Sequence, residues 1–506
     1  MGTECSALRR KGVDVTAFPN PVFLTQMRLV HRAGVLAPVL IAALTGLSLV
    51  AGLLYCFAAP SAFLSFSSRE IGRMFYGWLI AMQMLVLVVG GFSRITRVLA
   101  DDRKAGLWDS NRLTPMKPSE LVIGYWLGAG LREFYMNAVL MALGLIIIAI
   151  ARLPFALWLG SQILLFSTAL LFGLIAVATG IAAQRPQGGL LFLLIFIFAQ
   201  LLSFLQPRFM LTNFLVPVYA TLHLFSTEAE WSQMPEFFGL RVHPIPYTLC
   251  LQLVVGCFLW RALVRKTANP FQPLLRRREA VALFGVLVLA QHGLTWGLWR
   301  GEFGIANGLP DREPMLAIVH AGTLLAGALV LALASPIPER VRVEALRQGF
   351  RDLRPVFARS AVAPGLALAA IAAAALLSQC LLSFSTSWLA CLVAGGNLLS
   401  FFAIFSLSLE FCRLHFERRA IEVFVLVLFV LCLLPFVLAG VLSESALCRL
   451  SLLSPGFLAL SEPLNERVKM LALITAGHLL IALMVFYLWR NRWRRLLSEI
   501  KSAPQG

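Results

Sequence analysis

Asp101 to Leu127 reads DDRKAGLWDSNRLTPMKPSELVIGYWL and lies between two long apolar runs, Tyr76–Phe92 and Leu131–Ile150. Two prolines, charges of both signs and two glycines fall within this one stretch. Helices that only sit in a bilayer are joined by short loops, so a long, patterned polar stretch reads as a docking element. Gly106 breaks the chain after the second apolar run, and Leu107–Arg112 then forms a short helix that Thr114 and Pro115 end. Ser119 is read as the cap of the next helix, with Glu120 in its first turn at the positive end of the dipole. That helix is predicted to continue unbroken from Ser119 to Ile150, roughly 48 Å at 1.5 Å per residue, and so to overshoot the membrane.

Composition sets the environment. Only 13% of the 506 residues are charged and 59% are hydrophobic, against about 25% charged in soluble proteins. Mean hydropathy is +0.82. About twelve apolar runs are long enough to span: Pro38–Phe57, Tyr76–Phe92, Leu131–Ile150, Ala156–Ala182, Gly188–Leu205 and Pro246–Leu263, then Ala280–Trp299, Met315–Ala334, Ala363–Phe384, Trp388–Phe411, Ile421–Leu442 and Met470–Trp489. The predicted fold is therefore an all-α polytopic membrane protein with about twelve transmembrane helices in two six-helix halves.

The net charge of +18 would point to nucleic acid in a soluble chain. Here the bases gather on alternate loops, including Lys104, Arg277, Arg347, Arg418 and the tail Arg490–Arg495. Lipid headgroups explain that pattern without nucleic acid, and the positive-inside rule places both termini in the cytoplasm. The organisation read from this is a cytoplasmic N-terminus with an interfacial helix (1–37), a first transmembrane domain (38–263) and a basic linker (264–279). A second transmembrane domain (280–489) and a basic tail (490–506) follow. The loop Ser335–Ser360 reads as a basic amphipathic helix lying on the membrane surface. Nine cysteines show neither CxxC pairs nor metal spacing, and no short signal-peptide core precedes the first run.

Asn20–Arg32 reads NPVFLTQMRLVHR. Asn20 can cap and Pro21 suits the first helical position, while Phe23, Met27 and Val30 share one face at i, i+4 and i+7. Arg28, His31 and Arg32 supply the polar side of what is expected to be an interfacial helix.

The loop resembles the signature of the permease subunits of type-2 ABC exporters. The matching residues are Asp102, Arg103, Gly106, Asp109, Thr114, Pro115, Glu120, Leu121, Val122 and Gly124. Leu107 replaces the usual small residue, and Tyr125 stands where Lys often follows the last glycine. Asn20, Pro21, Phe23, Met27 and Arg28 are similar to the family's N-terminal elbow helix, with Gln26 where Glu is usual. The resemblance implies a coupling helix that docks a dimeric cytoplasmic ABC ATPase, re-entrant or interfacial helices in the outer loop Gln206–His243, and a bacterial inner-membrane location. It leaves open whether a second permease copy pairs with the chain. The phosphate-cradling G-x-x-x-x-G-K-[ST] loop, the G-x-S-x-G elbow and the H-E-x-x-H helix are absent from the sequence, so no cofactor is expected on this chain and ATP with Mg is expected on the partner.

Two other readings stay open. A secondary transporter of the major-facilitator type fits twelve spans, and LADDRKAG echoes its loop after the second span, although that loop is shorter and lacks Thr-Pro. A membrane glycosyl- or acyl-transferase would need an outer-face carboxylate or histidine, and the first outer loop offers only Glu70 beside Arg69 and Arg73. Polar residues inside spans, Gln83, Asn137, Gln162, Gln200, Gln291, His292, His320, Gln379, Asn397, Glu410 and His478, are read chiefly as interhelical hydrogen-bonding groups.

Overall fold

A backbone in lipid must satisfy its own hydrogen bonds, and long apolar runs accordingly fold as helices. The computed structural model describes residues 20–32, 34–58, 67–182, 211–215, 218–225, 235–270, 272–296, 388–416 and 464–502, with short helical pieces between 326 and 430. The helices are α1 (Pro21–Arg32), α2 (Leu36–Ala58), α3 (Ser68–Met84), a π-helical segment (Leu85–Gly90), α4 (Gly91–Lys104), α5 (Leu107–Leu113), α6 (Pro118–Gly128), α7 (Leu131–Ile150) and α8 (Phe155–Ala182). After them come α9 (Thr212–Leu215), α10 (Val218–Phe225), the hairpin β1 (Glu236–Phe237) and β2 (Leu240–Arg241), α11 (Pro244–Ala268), α12 (Arg277–Leu294), α13 (Trp388–Phe416) and α14 (Leu464–Ser502). The predicted span Gly188–Leu205 and the loop Ser335–Ser360 lie outside the described residues, as does nearly all of Ile421–Leu442.

Among the described residues, six helices are long and apolar enough to cross a membrane: Leu36–Phe57, Arg69–Lys104, Leu131–Ile150, Phe155–Ile181, Pro244–Ala268 and Leu399–Phe416. Their outer faces carry large apolar side chains. On α2, Leu36, Ile41, Leu44 and Tyr55 are 71%, 63%, 65% and 68% exposed. Apolar stripes of that length belong against lipid rather than water. The chain is an all-α, membrane-embedded protein.

Two compact units divide the chain: Met1–Ile181 with Leu259–Ala268, and Ala182–Phe258 with Asn269–Gly506. In the first, α2 and α3 pack on α7, and α1 packs on α6. Small residues set the approach: a Cβ on Gly144 would meet Leu79 at 3.0 Å and Tyr76 at 3.3 Å. Buried polar groups join α3 to α8, Tyr76 with Ser161 at 2.6 Å and Gln162 with Gln83 at 3.0 Å. In the second unit α13 packs along α14, and Phe401 stacks on Phe405 at 4.2 Å. There the hairpin docks on α12, with the Phe238 N–H donating to the Gly293 carbonyl at 3.0 Å. At 4 and 8 residues, α9 and α10 are too short to span.

Two expectations are corrected. The second span does not stop near Phe92: helical structure runs from Ser68 to Lys104, with the π-helical turn inside it. The helix predicted from Ser119 to Ile150 is broken at Ala129–Gly130 into α6 and α7. Arg94 Nε donates to the Ala129 carbonyl at 2.9 Å, so a side chain from α4 takes up an acceptor at the break.

Candidate functional site

The site is assembled from α1 and the turn-rich stretch α4–α5–α6. At its start, Asn20 Oδ1 accepts from the N–H groups of Val22 at 3.1 Å and Phe23 at 3.2 Å. Pro21 takes the first helical position, and such a cap is worth about 1 kcal/mol. Asn20 Nδ2 donates in turn to the Glu120 carbonyl, tying the elbow helix to α6. The buried face of α1 is Val22, Gln26 and Val30, at 5%, 5% and 2% exposure. Phe23 and Met27 are only half-buried. Phe23 and Met27 thus lie beside the protein-facing side of α1, whose centre is a glutamine. Arg28 and His31 are exposed as expected.

Two glycines let α1 lie close on α6. A Cβ on Gly124 would stand 2.7 Å from Val22, and one on Gly128 would stand 3.0 Å from Gln26. Spaced four apart, they share one helical face. The α6 N-terminus also differs from expectation. Lys117 rather than Ser119 is the cap residue and Pro118 the first helical one. Glu120 closes the turn by accepting the Lys117 N–H at 3.2 Å, consistent with its predicted place in the first turn.

Asp102 and Arg103, in the last turn of α4, point into the protein. Asp102 Oδ2 accepts a 2.6 Å hydrogen bond from the Tyr125 hydroxyl and a long one, 3.4 Å, from Gln26 Nε2. Tyr125 is fully buried and its ring lies 5.3 Å from that of Trp108. Burial first, and the bond to Asp102 second, raise the Tyr125 phenol above its ordinary value. Arg103 Nη1 donates to the carbonyls of Gly180 at 3.2 Å and Ile181 at 2.9 Å, capping the C-terminus of α8.

Gly106 turns the chain. Its φ of +72° lies in the left-handed region that glycine enters without steric cost. The short helix α5 covers Leu107–Leu113, close to the predicted Leu107–Arg112. Thr114 is extended after it, and its hydroxyl donates to the Asn111 carbonyl. Trp108 buries one side of α5, and Arg112 Nε donates to the Thr267 carbonyl at the end of α11 at 2.9 Å. The opposite side is bare. Leu107 and Leu113 are 51% and 89% exposed, and Thr114 and Pro115 are exposed too. The Asp109 side chain is 73% exposed and meets Arg112 at 3.3 Å.

Around α5, Arg103 of α4 bonds the end of α8, Arg112 bonds the end of α11, and Trp108 packs on Tyr125, which shares Asp102 with Gln26 of α1. Among the described residues no three His, Cys, Asp or Glu side chains form a metal-binding group. Sequence reading singled out Asn20, Asp102, Glu120 and Gly124, which do come together, but gave no role to Trp108, Arg112 or the Gln26–Asp102–Tyr125 set. The available signal was an amide on the inner side of an amphipathic helix. Glu133 was passed over as well. It is 2% exposed in the first turn of α7, where a charge reads as interfacial. Comparison of the chain with family models, with curated proteins and with solved structures finds no match.

Proposed function

We propose that the chain is the membrane-spanning permease component of an ATP-driven export system of the type-2 ABC exporter kind, coupled to a separate dimeric ATPase through α5 and its flanks. The proposal includes twelve spans in two six-helix halves, both termini on the cytoplasmic side of a bacterial inner membrane, and nucleotide bound only by the partner.

The observation that supports it is the meeting of the two exporter-like stretches. Asn20–Arg32 and Asp101–Leu127 are some seventy residues apart in sequence, yet Asn20 bonds Glu120, Gln26 bonds Asp102 and Gly124 receives Val22. Two of the places where the chain departs from the exporter pattern, Gln26 and Tyr125, both donate to the one carboxylate Asp102. An acid at position 26 would repel Asp102. A neutral donor there, with a phenol at position 125, holds the same junction by hydrogen bonds.

The test is association with an ATPase. Asp109 is mostly solvated, and its ion pair among the described residues is with its helix neighbour Arg112, so its reversal costs the fold little. If a partner buries it, Asp109→Arg removes about 1–3 kcal/mol of interface energy. Asp109→Arg and Leu113→Asp are expected to reach the membrane at normal levels and to lose co-purification of the ATPase subunit. Full association and turnover by both variants would refute the coupling role.

A further inference from the structure

α14 runs unbroken from Leu464 to Ser502, so the placing of side chains around it follows from the helical period. One side is fixed against the protein. His478, Ala482, Trp489 and Trp493 recur at helical spacing and are all buried, the two tryptophans at 1% exposure, and α13 packs along α14. The two indoles fix the rotation of the helix at the point where its composition changes from apolar to basic.

The opposite side carries its own order of residues. Leu480, Leu483 and Met484 are exposed, an apolar strip that belongs against lipid. Tyr487 follows one turn on and is 62% exposed; tyrosine is enriched where acyl chains give way to headgroups. Arg490 and Arg494 come next, three and seven residues after Tyr487 and therefore on its side of the helix. Arg494 is exposed and Arg490 half-buried. Like charges four apart repel, and neither arginine has an ion-pair partner among the described residues. The sequence between Glu466 and Glu499 contains no acid to supply one. Nor does the helix dipole account for the pair, because it acts within the last turn and Arg490 stands about three turns before Ser502.

We propose that this side of α14 binds an anionic phospholipid. The acyl chains lie along Leu480, Leu483 and Met484, Tyr487 stands at the level of the glycerol, and the phosphate sits between Arg490 and Arg494. Guanidinium forks match phosphate oxygens, and one phosphate between them relieves the repulsion of the pair. A headgroup with its own ammonium brings a cation up to two guanidiniums and is disfavoured. A free phosphate or a soluble polyanion would leave the apolar strip and Tyr487 unused. No residue of α4, α5 or α6 takes part, so the site is independent of the export reading.

The test is native mass spectrometry of the full-length chain purified in detergent and given equal amounts of phosphatidylglycerol, phosphatidylcholine and phosphatidylethanolamine. Phosphatidylglycerol is expected to be retained over each of the others by about tenfold. Arg490→Gln and Arg494→Gln are each expected to reduce that preference about fivefold, the effect of one basic residue at a membrane surface. Arg495→Gln removes the same charge from the next position, turned about 100° around the helix, and is expected to change the preference by less than about twofold. Equal losses in Arg494→Gln and Arg495→Gln would show a diffuse attraction to basic charge and overturn the assignment. So would equal retention of the three lipids by the unaltered chain. Displacement of the lipid by an equal concentration of glycerol phosphate would overturn it too, since the apolar strip would then contribute nothing.

Discussion

Replacing Tyr125 with Phe deletes one oxygen from the junction between the elbow helix and the loop. The hydroxyl lies 2.6 Å from Asp102 Oδ2, a short charge-assisted bond of a kind worth about 1.5–3 kcal/mol. Asp102 is only half-buried, so water partly replaces the lost donor and the lower end, about 1.5 kcal/mol, applies. The Phe ring keeps its contact with Trp108, and Gln26 still reaches Asp102 at 3.4 Å. Asp102→Asn weakens the same bond from the other side. A double-mutant cycle on the two changes is therefore expected to give a coupling energy of about 1 kcal/mol. Unfolding of the full chain in mixed micelles, followed by tryptophan fluorescence, measures it. Strict additivity, or a Tyr125→Phe variant as stable as the parent, would show that the bond does not hold the junction.

The raised phenol sets an alkaline limit. A folded value above the ordinary 10.0 contributes stability that is complete below that pH and is lost as the pH rises through the folded value, because only the unfolded chain ionises first. The parent is expected to lose more stability above pH 10.0 than Tyr125→Phe, read by the same unfolding assay. Gly106→Val forces a branched residue to a φ of +72° in open space; the strain, about 1–2 kcal/mol, is expected to appear as faster hydrogen exchange in α5. Gly124→Leu drives a side chain into Val22 at a cost of about 1–3 kcal/mol, and is expected to speed tryptic cleavage after the exposed Arg28. Cleavage no faster than in the parent would mean that α1 is held by other contacts.

The local signals were legible because they are local. Asn20 with Pro21 starts a helix anywhere, and Gly106 followed by a short helix and Thr-Pro needs no distant partner to be recognised. The break at Gly130 was hidden for the opposite reason. The apolar pattern runs through it, and its stabilising donor is Arg94, 35 positions away from the carbonyl that it serves. The protein-facing side of α1 was hidden in the same way: Gln26 turns inward to meet Asp102, 76 residues further on. Glu133 was illegible because a glutamate in a first turn is ordinary at a helix start. Only the packing shows that its guanidinium partners sit at its side and that water does not reach it.

The π-helical turn between α3 and α4 has a consequence for phase. A π turn accommodates one residue more than an α turn, and each α-helical residue advances the side chain by about 100°. Everything after Gly90 is therefore rotated relative to a continuous α-helix. That offset lets Phe92, Ile95 and Leu99 face the interior while Asp102 and Arg103 meet Tyr125 and the end of α8. Removing a single residue from Leu85–Gly90 would leave composition and hydropathy almost unchanged, yet turn these contacts about a quarter of a circle away. The segment acts as a timing notch: chain length there sets which way the Asp101–Lys104 end of the rod faces, and a length variant would keep its apolar span while α5 pointed elsewhere.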